Sequence, residues 1–130
     1  MFELRFFQTA NGECLVLEAL NCLPKQVQAK AYVRMERLAE LGNKLTRPES
    51  DYLRNGIYEL RWRFVKVQYR LLYFFSGEQI IVLSHIITKD KEVPSKEIEK
   101  SILHKMLFEK NQGKYTYIQE EETVWAKKTP

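Results

Sequence analysis

The sequence predicts an α+β domain with helices packed on one face of a largely antiparallel sheet, and three observations carry that expectation. Ile57 to Phe64 alternates apolar and charged side chains with the period of two that marks a half-buried strand. Two further apolar stretches, Gln68 to Phe75 and Gln79 to Ile87, follow it across a Ser76-Gly77-Glu78 turn, so the three strands form an antiparallel meander. On either side of the meander, Val27, Ala31, Met35 and Leu38, and then Ile98, Ile102 and Met106, recur at helical spacing.

Taken in order, Phe2 to Gln8 is short, aromatic and apolar, which suits an opening strand, and the TANGE that follows is a turn cluster. Glu13 to Asn21 has helical composition. Pro24 is suited to the first position of a longer helix that runs to Leu41 and stops at Gly42. A loop, NKLTRPESD, leads into the meander. Gln68 to Phe75 is apolar on both faces except at Arg70, the pattern of a central strand. Pro94 or Ser95 opens the closing helix, and the domain is expected to span residues 1–108, followed by an extension, 109–130, with one β-prone piece at Tyr115 to Gln119 and an acidic run at Glu120 to Glu122. The resulting order is an N-terminal strand, two helices, a three-stranded antiparallel meander and a C-terminal helix.

A chain of 130 residues has the length of one domain able to bury its own core, and 45% hydrophobic residues excludes a disordered composition. No apolar run approaches the ~20 residues of a membrane span, and the start of the chain lacks the features of a signal peptide, so a cytoplasmic protein without a membrane partner is expected. Cys14 and Cys22 read as small buried hydrophobes rather than as a disulfide. The net charge of +4 favours an anionic partner, and the positive charge is concentrated mid-chain at Arg54, Arg61, Arg63, Lys66 and Arg70, opposed there only by Glu59.

Pleat geometry turns this charge into a candidate site. With Tyr58, Leu60, Trp62 and Phe64 toward the helices, Glu59, Arg61 and Arg63 occupy the opposite, open face. Arg70 belongs to the adjacent strand, and Lys89 and Lys91 enter from the end of the third. Such a patch suits a phosphodiester. The chemistry that fits is RNA cleavage by attack of the 2′-hydroxyl on the neighbouring phosphorus, because the substrate brings its own nucleophile. The arginines stabilise charge on the phosphoryl oxygens, and Glu59 or a lysine moves the proton. The two histidines, His85 and His104, fall on different expected elements without neighbouring carboxylates, so no metal site and no cofactor are expected. His85, in an apolar strand, reads as a satisfied core histidine. Arg70 has a structural alternative as an ion pair with Glu59. Tyr73 lies three residues from Arg70, so parity points it toward the helices and core packing, with base stacking as the alternative.

The run from Leu53 to Ser101 resembles the HigB-like, phage-derived branch of the RelE/ParE toxin superfamily. The matching positions are Leu53, Gly56, Tyr58-Glu59-Leu60-Arg61, Tyr69-Arg70, Tyr73, Lys89 and Pro94, and the earlier FFQTANGE and NCLP look like the opening of that family. The likeness extends over roughly residues 2–107. The basic pair expected after the third strand is Thr88-Lys89 here, and the aromatic expected before it is Ile86. The resemblance implies a RelE-like fold, a type II toxin and ribosome-associated cleavage of messenger RNA. It implies catalytic roles for Arg61, Arg70, Lys89 and Glu59, RNA contacts from Arg63, Lys91 and Tyr73, and an antitoxin partner of helix-turn-helix type. Two alternatives share the fold: a non-enzymatic toxin that inhibits DNA gyrase, as in the ParE branch, and a decayed phage protein that only binds a partner.

Overall fold

The alternating segment forms strand β3 (Ile57–Phe64), and the rest of the sheet is built around it. The computed structural model describes residues 1–88 and 91–118. In it β1 (Glu3–Phe6), β2 (Ser50–Arg54), β3, β4 (Val67–Ser76) and β5 (Ile80–Thr88) make one sheet in the order β1-β5-β4-β3-β2. Neighbours from β2 to β5 are antiparallel, while β1 runs parallel to β5. The expected meander is therefore the centre of a mixed, five-stranded sheet.

Strand β2 overlaps the loop expected at residues 43–51 only in Ser50 and Asp51 and continues through Tyr52 to Arg54, to which no element was assigned. Asn55 and Gly56 adopt φ of 52° and 81°, the left-handed pair of a two-residue hairpin turn, and they fold Ser50–Arg54 back along β3. The helices are α1 (Leu15–Asn21), α2 (Lys25–Leu41), α3 (Ser95–Lys110) and the single turn α4 (Gln112–Tyr115). Pro24 lies just outside α2, where its carbonyl accepts from the Val27 and Gln28 amides. Gly42 ends α2 at φ 52°, and a Cβ there would come within 2.1 Å of the Phe2 ring, so only glycine lets the opening segment lie against this helix end.

The expectation of helices on one face is corrected, since they cover both. Helices α1 and α2 pack with Leu60, Trp62, Tyr69, Leu71, Tyr73, Ile81 and Leu83. Helix α3 and Tyr115 of α4 pack with Phe7, Ile57, Leu72, Phe74 and Val82 on the other side. The reason lies in β4, whose consecutive Leu71, Leu72, Tyr73 and Phe74 are all buried, and a strand apolar on both faces needs a layer on each. Helix α3 ends at Lys110, and Tyr115 beyond it belongs to the same core. Tyr115 ends α4 and stacks on Phe7 at 5.7 Å, and of the β-prone piece expected at Tyr115 to Gln119, Thr116 makes an antiparallel bridge to Phe7 while Gln119 lies outside the described residues. Glu120 to Glu122 lie outside the described residues. Of the two cysteines Cys14 is buried and Cys22 exposed, both as thiols, so the expectation of burial holds only for Cys14.

A β-bulge on β5 organises the α3 side. Leu72 pairs with His85 and Tyr73 with Leu83, which leaves Ser84 as the extra residue, turned to the same layer as His85. Ser84 Oγ lies 2.7 Å from His104 Nδ1 and 2.9 Å from His85 Nδ1, and it accepts from Ser101 Oγ at 2.9 Å. His85 Nε2 meets Glu97 at 3.0 Å. His85 is thus a satisfied core histidine, as the sequence suggested.

Burial pushes the His104 imidazole down to about 3 and lowers that of His85. The His104 ring therefore stays neutral in the folded protein where the unfolded chain takes up a proton, near 6.5. Stability is accordingly full above pH 6.5 and falls as pH drops toward 3, by roughly 1.4 kcal/mol per pH unit for His104. Urea unfolding is expected to show a loss of about 2 kcal/mol between pH 7 and pH 5, mostly abolished in His104→Gln. An equal loss in the variant would place the acid sensitivity elsewhere.

Candidate functional site

Register decides which charged side chains meet. Arg61 of β3 pairs directly across from Arg70 of β4, and Glu59 lies opposite Leu72. Odd-numbered residues of β3 point toward the α3 layer, as Ile57 shows by its place in that core. Helix α3 covers this layer only in part, and beside it opens a cavity of about 440 Å³ walled by Asp51, Tyr52, Glu59, Arg61, Arg70, Lys91 and Glu92 over an apolar floor of Leu53, Val93 and Ile98.

The deepest members are Glu59 and Arg70, at 4% and 7% exposure. Arg70 Nη1 donates to Glu59 Oε1, and its Nη2 donates to the Lys91 carbonyl at 2.8 Å. This second bond ties the segment after β5 to the sheet. Arg61 is half-buried, and its Nε donates to the Pro48 carbonyl at 3.3 Å. Among the described residues no carboxylate pairs with it at ion-pair distance. Arg47 bonds Asp51 at 2.8 Å and, with smaller help from Arg61, holds that carboxyl below its ordinary range. Tyr52, 54% exposed, rests edge-on against Tyr58 at 4.9 Å, and its hydroxyl accepts the Gly56 amide. The walls carry three cations and three carboxylates, so the cavity is polar and charge-balanced rather than simply basic.

Of the residues singled out from sequence, Glu59, Arg61, Arg70 and Lys91 converge here. Arg63 does not: it borders a different cavity, with Ala29, Lys30, Val33, Arg34 and Trp62, and its Nη1 donates to the Lys66 carbonyl at 3.3 Å. The alternative of base stacking by Tyr73 is corrected as well. It faces the α1–α2 layer at 1% exposure, where parity placed it, and its hydroxyl bonds Ser50. Burial pushes that hydroxyl up to about 12. Lys89 lies outside the described residues. Asp51, Tyr52 and Glu92 were missed. The Asn55-Gly56 turn signal predicts a strand before it, and so would have brought Asp51 and Tyr52 beside Glu59.

Among the described residues no three His, Cys, Asp or Glu side chains gather in a way that could hold a metal ion. Nor is any described helix long and apolar enough to cross a membrane.

Fold and site together define a small α+β domain with a charged cleft at the edge of a mixed sheet. The family described as phage derived protein Gp49-like (DUF891) matches residues 18–104, a stretch that includes every described strand except β1, and the chain belongs to that family. No curated protein matches it.

The ion pair makes the two arginines unequal in stability. Arg70→Ala strands a buried carboxylate and is expected to cost about 3–5 kcal/mol, much of it recovered by adding Glu59→Gln. Arg61→Ala removes a half-exposed side chain without stranding a charge and should cost under about 1 kcal/mol. Urea unfolding of the three variants checks this ordering, and equal losses for the two single arginine variants would contradict it.

Proposed function

We propose that this chain is the toxin of a type II toxin-antitoxin pair, with a RelE-like fold, and that it cleaves messenger RNA in the cavity beside α3. The observation that carries the proposal is the convergence of cross-strand Arg61 and Arg70 with Glu59, Asp51, Tyr52 and Lys91 in one solvent-open cavity. The resemblance of Leu53 to Ser101 to the HigB-like branch of the RelE/ParE superfamily supports the reading independently of that geometry.

In this mechanism the RNA 2′-oxygen attacks the adjacent phosphorus as its proton passes to a carboxylate. The bond from phosphorus to the 5′-oxygen breaks, leaving a 2′,3′-cyclic phosphate and a 5′-hydroxyl. Arg61 supplies the guanidinium that meets the phosphoryl oxygens. Glu59 acts as a positioning residue, because its carboxylate holds Arg70. Asp51, half-buried and kept ionised by Arg47, is the carboxylate placed to take the proton. The departing 5′-oxygen takes its proton from Lys91 at the cavity wall or from solvent. Lys91 adds positive charge at the cavity wall, Lys89 keeps the catalytic role that the resemblance implies, and a cognate antitoxin covers the cavity.

Arg61→Ala tests the reading without the folding defect expected of Arg70→Ala. Induced without antitoxin, the wild type is expected to arrest bacterial growth and create new messenger RNA 5′ ends. The variant, equally abundant and folded, should lose cleavage on the order of 10²-fold. Arrest without new ends would favour the gyrase-inhibiting alternative. No arrest from a folded wild type would leave a phage protein that only binds a partner.

A further inference from the structure

The second cavity, about 320 Å³ between α2 and the far end of β3, is used by nothing described above. It is lined by Ala29, Lys30, Val33, Arg34, Trp62 and Arg63: three cations, no carboxylate and an apolar remainder. Val33 is 59% exposed.

Hydrogen-bond accounting singles the cavity out. Among the described residues, two buried side-chain nitrogens lack a partner, Trp62 Nε1 and Arg34 Nε, and both belong to its lining. Trp62 is 2% exposed, so water does not readily satisfy its indole N–H, and a buried donor without an acceptor costs about 1–3 kcal/mol. The Arg34 guanidinium is already anchored through Nη1 to Glu49 at 2.6 Å, which fixes its plane while leaving Nε unmatched. The backbone adds a third feature. Strand β2 ends opposite Leu60, and the Arg61 amide bonds the Glu49 carbonyl, so beyond that point Trp62–Phe64 is an open strand edge among the described residues.

We propose that this groove docks an extended acidic segment of a partner protein, one whose carboxylates alternate with aliphatic side chains. Strand addition along the open edge of β3 satisfies its outward backbone groups. The carboxylates meet Lys30 and Arg34, with Arg63 at the β3 edge of the groove, and supply the acceptors that the two orphaned donors lack, and the aliphatic side chains cover Val33 and Ala29. RNA fits less well, because the aromatic ring in the lining is buried and offers no face for a base. The inference does not depend on RNA cleavage in the first cavity.

The indole N–H of Trp62 is a direct reporter, assigned by comparison with Trp62→Phe. The ¹⁵N-labelled full chain would be titrated with a blocked heptapeptide of alternating glutamate and leucine, beginning and ending on glutamate, with its lysine-for-glutamate counterpart, and with a uridine octamer. Saturable movement of the Trp62 signal by the acidic peptide alone, weakened at least tenfold in a folded Lys30→Glu, Arg63→Glu double variant, is the expected result. No movement, or movement indifferent to the charge reversal, would overturn the proposal. So would movement by the octamer in place of the peptide, which would make the groove a nucleic-acid surface. A shift of the same signal on deleting residues 119–130, before any peptide is added, would assign the groove to this chain's own tail and overturn it too.

Discussion

The contact between Arg70 and Glu59 ties the candidate site to the fold. Two opposite charges sit almost out of solvent between the sheet and the α3 layer, on neighbouring strands whose register is fixed by the hydrophobic alternation of β3. Taking both from water costs several kcal/mol per ion, repaid only if the geometry holds. Arg70 is held on a second side by the Lys91 carbonyl, so the pair also anchors the segment that leads from β5 into α3. Asp51 and Tyr52 reach the cavity only because the Asn55-Gly56 turn lays β2 beside β3, and Arg61 reaches it because it stands across from Arg70. Slipping the β3–β4 register by one residue would send Arg61 into the α1–α2 core and Trp62 into the cavity.

The sequence allowed much of this to be read, and where it misled, the cause is physical. The alternation along Ile57 to Phe64 put Glu59 and Arg61 on one face, and the lone guanidinium in β4 marked Arg70 as a residue with a partner. What the alternation does not say is how far along a face a site extends. Arg63 shares its parity with Arg61 yet stands beyond the end of β2, where it borders a different cavity. Helices on both faces were foreshadowed by β4, but a strand apolar on both sides is equally consistent with one helical layer and one partly covered face. The parity of β5 was beyond reach, since a bulge at Ser84 places two successive polar residues on one layer and nothing local in QIIVLSHII announces it. The strand at Ser50–Arg54 was legible and overlooked, because it starts inside the turn-rich NKLTRPESD and leaves only three residues between that loop and the Asn55-Gly56 turn.

The two cavities separate three residues that the sequence showed in one mid-chain cluster, Arg61 and Arg70 bordering the first and Arg63 the second. The first balances its cations with carboxylates around an open space where Arg61 stands without an ion-pair partner among the described residues. The second is lined by cations and unmatched donors and by no carboxylate, Glu49 bonding Arg34 from outside the lining. One arrangement suits a reaction that moves protons at a phosphodiester, because it holds both charges and bases. The other suits recognition of an acidic surface. Both lie on β3, one on each side of the point where β2 ends.

The end groups of the RNA test the central claim most directly, since attack by the 2′-hydroxyl leaves a chemical record. The purified chain, incubated with a translating ribosome programmed with a defined message, is predicted to release fragments ending in a 2′,3′-cyclic phosphate and beginning with a 5′-hydroxyl. Fragments carrying a 5′-phosphate and a 3′-hydroxyl would show that water or another external nucleophile attacks the phosphorus, and would contradict the role given to the Arg61 cavity.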